Sequence, residues 1–596
     1  MKYLFTLLLL FIAQESVFGQ SFILETEMFQ HKGGWVVETQ FIDQMGSGYL
    51  LAHGLGEPVK DAYTEVNAPQ KGTYHVWLRT KDWIPGQNGP GKFEIWVDDK
   101  RLGTVFGSDG VSGWHWVYAG KTGFSGKPAR LTLKDLTGFG GRCDALFFST
   151  DKNPPLPETP EERDAFKVGY KQETVDEGHF DLVVAGGGVA GICCAVQAAR
   201  LGLKVALINN RPMLGGMSSS EVRVSTSGDT FRNKYPALGR IVREIDNGIA
   251  DIGGTSSALY RDEDRRKTVL NEKNIHLFEN MHVADVRMSA DTIQGLYALN
   301  LDTYQKHFFH GALFVDCTGD AKLGLLAGAD HRYGRESRTE TGEASAPQEA
   351  DNLVMGSSNQ WYAERQEAVT AFQVQPWMLP FSDDYHFEMT RSSWNWESGF
   401  NNWHTVDDAE TIRDHNLRAI YSNWAYIKTH KPEKFGKSKL VFLSHITGKR
   451  ESYRLMGDIV LKEQDIVNKV DYPDALVTTT WGIDLHYPDP ENTKRFPGQE
   501  FIAYAVHPSK QKDVYTFPYR CLYSRNIPNL FMAGRNISVT HVALGTVRVQ
   551  RCTGMMGEAV GIAAYLCKQN NCYPRDIYEK HLNRLLDAVS SDVAIP

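Results

Sequence analysis

Three glycines, Gly186, Gly188 and Gly191, are spaced as GxGxxG between the apolar run FDLVVA and the small-residue run VAGICCAVQAARLG. A strand that ends in such a loop and restarts as a helix can hold a pyrophosphate. The first glycine permits the tight turn, the second admits the phosphates against the backbone, and the third lets helix and strand approach. The free N–H groups and partial positive charge of the helix N-terminus complete the anion site. Ala195, Gly202 and Val205 continue the spacing into a second strand, VALI, which ends at Asn209 where a carboxylate is expected. An aspartate or glutamate there would accept two hydrogen bonds from an adenosine ribose. Asn209 offers one acceptor and one donor group, a loss of roughly 1–2 kcal/mol. On that reasoning Asn209→Asp should keep or tighten the dinucleotide. The alternative is that Asn209 with Arg211 makes room for the 2′-phosphate of NADP.

Further chemistry rests on histidines, the side chains that titrate near neutral pH. His541 follows NLFMAGRN, His445 opens HITGKRESYRLMGDIVL, and His486 lies in WGIDLHYP. Each is a candidate general base, with His541 best placed. Adjacent Cys193 and Cys194 point about 100° apart on a helix, so they read as packing residues and not as a redox pair.

The elements that position these residues follow from the hydrophobic pattern. The chain has 596 residues, 42% of them hydrophobic, enough for several domains. Its net charge of -8 has no basic stripe, which excludes a nucleic-acid partner. Residues 1–19 carry Lys2, an apolar run and small residues near a cleavage point, the pattern of a signal peptide. The protein is therefore expected to be exported, periplasmic or secreted, with no membrane span. Residues 20–150 alternate in short runs such as TYHVWLRT and KFEIWVDD, a β-sandwich that should fold on its own. Its tryptophans Trp35, Trp77, Trp83, Trp96, Trp114 and Trp116 suit either a core or a sugar-stacking surface. The proline-rich stretch 151–178 reads as a linker. The βαβ grammar then begins, giving a nucleotide domain over 179–335 and 521–596, interrupted by a polar, aromatic α+β substrate lobe over 336–520. Within the second part, TGMMGEAVGIAAYL reads as a tightly packed helix.

Of eight cysteines, Cys143 is expected as a buried thiol, and Cys567 and Cys572 can close a small loop. No spacing matches a zinc or iron–sulfur site, so no metal is expected.

The glycine motif, the Gly215-Gly216 doublet, LFVDCTGD at 313–320 and NLFMAGRN together resemble FAD-dependent oxidoreductases of the glutathione-reductase-like superfamily. HITGKRESYRLMGDIVL and AGRNISVTHVALGTVRVQRCTGMMGEAVGIAA are closer still to the bacterial FAD-dependent oxidoreductase family. The resemblance spans about 180–570 and implies an α/β Rossmann-like FAD-binding domain holding FAD in preference to NADP. It implies that Gly186, Gly188 and Gly191 cradle the pyrophosphate, that Asn209 and Arg211 flank the ribose near Gly215 and Gly216, and that Val283 lies under the adenine. Gly319 would sit in the strand-to-loop turn over the cofactor, and Gly534 and Arg535 would approach the pyrophosphate and ribityl chain. Gly545 and the helix after it would face the flavin C2 carbonyl. The N-terminal sandwich is similar to carbohydrate-binding-like jelly rolls.

These features imply a flavoenzyme that oxidises or reduces a small polar metabolite, with sugars and glycosides among the candidates, and an electron acceptor the sequence does not name. The competing reading is a carbohydrate-binding or interaction protein that retains a non-catalytic flavin fold.

Overall fold

The computed structural model describes residues 20–86, 88–167, 173–246, 248, 256–510 and 513–590, so the expected signal peptide lies outside the described residues. The chain divides into two compact units, one of residues 1–171, 368–387 and 421–437, the other of 172–367, 388–420 and 438–596.

The first unit is built on two antiparallel sheets. In the larger, strands run in the order Val36–Glu38, Tyr49–Ala52, Gly141–Ser149, Gly72–Thr80, His115–Phe124, with Ser21–Glu25 also beside Gly141–Ser149. The smaller has the order Ala62–Val66, Ala129–Asp135, Phe93–Val97, Lys100–Phe106. The alternating residues the sequence marked, among them Tyr74, Val76, Leu78, Phe93, Ile95, Leu131 and Leu133, form the core between the sheets, together with Cys143. Trp35, Trp77 and Trp83 are buried. Trp96, Trp114 and Trp116 are half-buried and engaged by Glu94, Tyr49 and the Pro157 carbonyl respectively, so their rings serve the sandwich itself.

Two expectations change here. Residues 151–167 of the expected linker 151–178 belong to the sandwich unit, and Val175–Gly178 begin the second unit's strand Val175–Ala185. The short helix Pro160–Asp164 carries a Thr159–Glu162 capping box, Arg163 is fully buried, Ile23 donates its N–H to the Phe166 carbonyl at 2.9 Å, and Lys167 pairs with Glu25 at 3.1 Å. The expected lobe over 336–520 is also shared between the units. Residues 368–387 and 421–437 complete the sandwich unit through Phe372, Trp377 and Tyr421, each of whose rings lies 5.2–5.8 Å from that of Phe139. Residues 21–150 are therefore only part of that unit.

The second unit holds a seven-stranded sheet. Ile275–Phe278, Val205–Ile208, Val175–Ala185 and Lys306–Asp316 run parallel in that order. The hairpin Met281–Ser289 and Thr292–Asn300 pairs antiparallel with the first half of Lys306–Asp316, and Leu530–Met532 pairs parallel with its end. The segments Leu182–Ala185, Val205–Ile208 and Leu313–Val315 are buried apolar runs because both faces are covered there. One cover is a pair of helices, Val189–Arg200 and Gln550–Asn570. A Cβ at Gly557 would sit 2.1 Å from the Ala190 carbonyl and one at Gly561 2.9 Å from that of Cys194, so these glycines let the backbones touch. Among the described residues no helix is long and apolar enough to cross a membrane.

Candidate functional site

The nucleotide end forms where strand Val175–Ala185 turns into helix Val189–Arg200. Gly186 turns at φ +106°, and a Cβ there would lie 2.3 Å from the Cys317 carbonyl oxygen. A Cβ on Gly191 would lie 1.8 Å from the Gly186 oxygen. Both positions are thus glycine because the chain itself leaves no room. Gly188 differs. It is extended, caps the helix without a side chain, and a Cβ on it would meet nothing within 4 Å. The space beside Gly188 is left open by the protein, as a bound phosphate requires.

Asn209 is 4% exposed, and its amide is committed to the protein. Its Oδ1 accepts the Gly187 N–H at 3.2 Å, and its Nδ2 donates to the carbonyls of Arg211 at 2.8 Å and Met213 at 2.9 Å. An aspartate cannot donate and would set a charge against two carbonyl oxygens. The expectation that Asn209→Asp tightens binding is therefore reversed. Gly187, which the sequence reading passed over, is required by this arrangement, since a Cβ there would lie 2.7 Å from both Asn209 Cγ and Leu214 Cδ2. The loop that Asn209 shapes returns to the helix start, where Gly215 N–H donates to Gly187 at 2.9 Å and a Gly216 Cβ would lie 3.1 Å from Gly188 Cα. Arg211 is paired with Glu221, Nη2 to Oε1 at 2.6 Å. Val283 is buried in the sheet's core, paired with Ala298.

At the end of Lys306–Asp316, Gly319 turns at φ +78° beneath Arg535, whose Nη1 would be 2.5 Å from a Cβ. Asp320 lies between Arg535 at 2.7 Å and Lys449 at 2.8 Å. Burial pushes its carboxyl up, but the two cations outweigh burial and hold it well below the usual carboxylate range. Gly534 turns at φ +136°.

The other end is a charged network. Helix His541–Val547 begins with His541, capped by Thr540 Oγ1 on Ala543 N–H at 3.1 Å. The His541 N–H donates to Glu336 at 2.9 Å, and Nδ1 faces both Glu451 oxygens at 2.9–3.0 Å. Arg454 bonds both Glu451 and Glu336 and is fully buried. Burial raises Glu336, but Arg454 outweighs it and keeps the group ionised. A neutral His541 that donates its Nδ1–H to Glu451 would leave Nε2 as an acceptor. His541 is 1% exposed, and its Nε2 has no hydrogen-bond partner among the described residues. The Tyr487 ring lies 6.3 Å away.

His486, next in the chain to Tyr487, is placed differently. Its Nδ1 bonds Glu397, and its Nε2 lies 3.3 Å from Asp484 and 3.4 Å from Arg548 Nη2. Both nitrogens are engaged, Nε2 facing both Asp484 and Arg548. His445 lies half-buried beside Ser444, whose hydroxyl donates to the Glu221 carbonyl at 2.7 Å. Gly545 packs on Asp484, its Cβ position 2.8 Å from that backbone nitrogen, and the next helix starts at Gln550.

A model of the family described as FAD dependent oxidoreductase matches residues 181–586. The chain belongs to the FAD-dependent oxidoreductase family. A glycerol-3-phosphate dehydrogenase of Mycobacterium leprae (strain TN) is 39% identical over 77 residues, 12% of this chain and 13% of that protein, so the chain spans only about an eighth of that curated relative. Among solved structures, a myxobacterial chondrochloren halogenase, a variant of FAD-dependent halogenases, covers 68% of this chain and 79% of its own at 12% identity and TM-score 0.31. A family 35 carbohydrate binding module from Clostridium thermocellum covers 22% of this chain and 97% of its own at 20% identity and TM-score 0.19.

The residues present fit the cofactor of this oxidoreductase family, FAD. Besides the open space at Gly188, buried Arg535 Nε, Asn536 Oδ1, Ser538 Oγ, His541 Nε2, Arg548 Nε and Gln550 Oε1 all have no partner among the described residues. Six such atoms within sixteen residues exceed what a finished protein interior leaves unpaired, and a bound polar cofactor and substrate would supply partners. The side chains that build the ion network, Glu336, Glu397, Glu451, Arg454, Asp484 and Arg548, were not singled out by the sequence. Glu451 and Arg454 do fall inside the HITGKRESYRLMGDIVL motif, which was the available signal.

Proposed function

We propose that this FAD-dependent oxidoreductase oxidises or reduces a small polar metabolite, with sugars and glycosides among the candidates, and that His541 Nε2 handles the substrate proton. FAD, when bound, exchanges a hydride with the substrate carbon at its N5. The observation that carries the reading is the state of His541: Nδ1 fixed on Glu451, Nε2 buried and unpaired, at the start of the helix that follows the second flavin motif.

A substrate hydroxyl that donates to Nε2 gives up its proton there, and the charge formed on the imidazole is met by Glu451. Arg454 and Glu336 hold Glu451 and the His541 backbone in place, so the acceptor needs no rearrangement. Gly186, Gly188 and Gly191, with Gly319, Gly534 and Arg535, are assigned to the pyrophosphate and ribityl chain. Asn209, Arg211, Gly215 and Gly216 are assigned to shaping the ribose side. We assign His486 to orienting Arg548 and keep His445 as the next candidate for the proton. Export to the periplasm or exterior is part of the same proposal, supported by the composition of residues 1–19.

Anaerobic mixing of the yellow protein with a panel of sugars, glycosides, hydroxy acids and glycerol 3-phosphate tests the reading. Bleaching of the flavin by one class identifies the substrate. Retained FAD with no bleaching by any member would favour a binding protein with a non-catalytic flavin fold.

A further inference from the structure

We infer that Cys567 and Cys572 form a dithiol that closes to an intrachain disulfide by exchange with an exposed disulfide of another molecule. The inference is independent of the substrate reading. Helix Gln550–Asn570 ends at Asn571, which is left-handed at φ 47°, ψ 54°. Beyond it, Cys572 N–H donates to the Cys567 carbonyl at 3.0 Å and Asn571 N–H to that of Lys568 at 3.3 Å. These two bonds, six-to-one and five-to-two, define a Schellman ending. That ending brings together the side chains of the residue three before the cap and the residue two beyond it, positions that an apolar pair ordinarily fills. Here both are thiols.

The pair is asymmetric in the way exchange requires. Of the eight cysteines, all described, only Cys572 is not buried. Burial pushes the Cys567 thiol up, whereas the neighbouring Cys567 thiol holds Cys572 below its ordinary range. The reachable sulfur is therefore the nucleophile and the buried one the resolving group. The Cys572 thiolate attacks one sulfur of the incoming disulfide, forming a mixed disulfide and releasing one thiolate. Cys567 then loses its proton to solvent and attacks Cys572 Sγ, releasing the second thiolate. Two electrons and two protons pass from the cysteine pair to the incoming disulfide, which leaves as two thiols. Closure fixes the turn from which helix Pro574–Ser590 starts, a helix anchored by Tyr519 to the Pro574 carbonyl at 2.8 Å and by Arg575 to Asp458 at 2.6 Å.

The test equilibrates the full-length holoprotein with oxidised glutathione, quenches in acid denaturant, alkylates and maps the peptides. The expected result is a Cys567–Cys572 linked peptide with the other six cysteines alkylated. Cys567→Ser should instead trap glutathione on Cys572, and Cys572→Ser should leave Cys567 as a free thiol. Alkylation of all eight cysteines in the wild type, or a link from either sulfur to a different cysteine, overturns the inference. The wild-type map decides even if a variant fails to fold.

Discussion

The two ends of the second unit are built from opposite materials. At the nucleotide end, the glycine loop and Asn209 come from one run of about 35 residues, and the polar atoms they present are N–H groups and a single amide. The ion network around His541 is all charged side chain, and its partners lie far apart in the chain. Glu451 is 90 residues from His541, Glu336 is 205 away, and Glu397 is 89 from His486. A site that only needs to hold phosphates can be made locally. A site that must hold a proton acceptor in a fixed tautomer has to buttress it from several elements, and the buttress has no local signature.

The sharpest way to test that division lies within the glycine motif itself. Gly191→Val should cost the fold of the second unit, because its Cβ would collide with the Gly186 oxygen at 1.8 Å. Gly188→Val should leave the apoprotein folded, since nothing in the chain lies near its Cβ, but should abolish FAD retention. Circular dichroism and flavin content per chain separate the two. Equal loss of structure in both variants would break the distinction.

At the other end, Glu451→Gln removes the charge that meets the His541 imidazolium and should slow flavin reduction by roughly 10- to 100-fold, with FAD content unchanged. Stopped-flow reduction with the substrate found by the bleaching panel measures it.

Asn209→Asp probes the one side chain on which the nucleotide end depends. Loss of its two donated bonds should weaken FAD by roughly 1–3 kcal/mol, about a 5- to 150-fold rise in Kd. A tighter complex in a fluorescence titration would restore the simpler ribose role for this position.

The smallest effect concerns the helix pair behind both ends. Burial pushes Glu558 up to about 7, although its carboxylate accepts the N–H groups of Gly239 and Val242. A folded-state value above the unfolded one means that the native protein holds a proton the unfolded chain releases. Stability should therefore fall as pH rises from 4.5 to about 7. Glu558→Gln should flatten that slope by on the order of 1 kcal/mol, read from denaturant midpoints across the window.

Much of this architecture was legible in the sequence. The alternation in TYHVWLRT and KFEIWVDD marked sandwich strands, and the glycine motif marked the turn and the helix that follows. What escaped was set by distant contacts. The boundary of the sandwich unit depends on Phe372, Trp377 and Tyr421, more than two hundred residues beyond Phe139. The identity of Asn209 was readable, but its role was not, because that depends on the carbonyls of Arg211 and Met213 facing it. Three histidines looked alike as letters. Only their partners show that His486 is engaged at both nitrogens and His541 at one.

The central claim, that one end holds the cofactor and the other moves the proton, is tested most directly by rapid anaerobic reduction of the His541→Gln holoprotein. The account predicts full FAD content and a reduction rate lower by ~10²- to 10⁴-fold. A wild-type reduction rate, or loss of FAD in step with loss of rate, would contradict it.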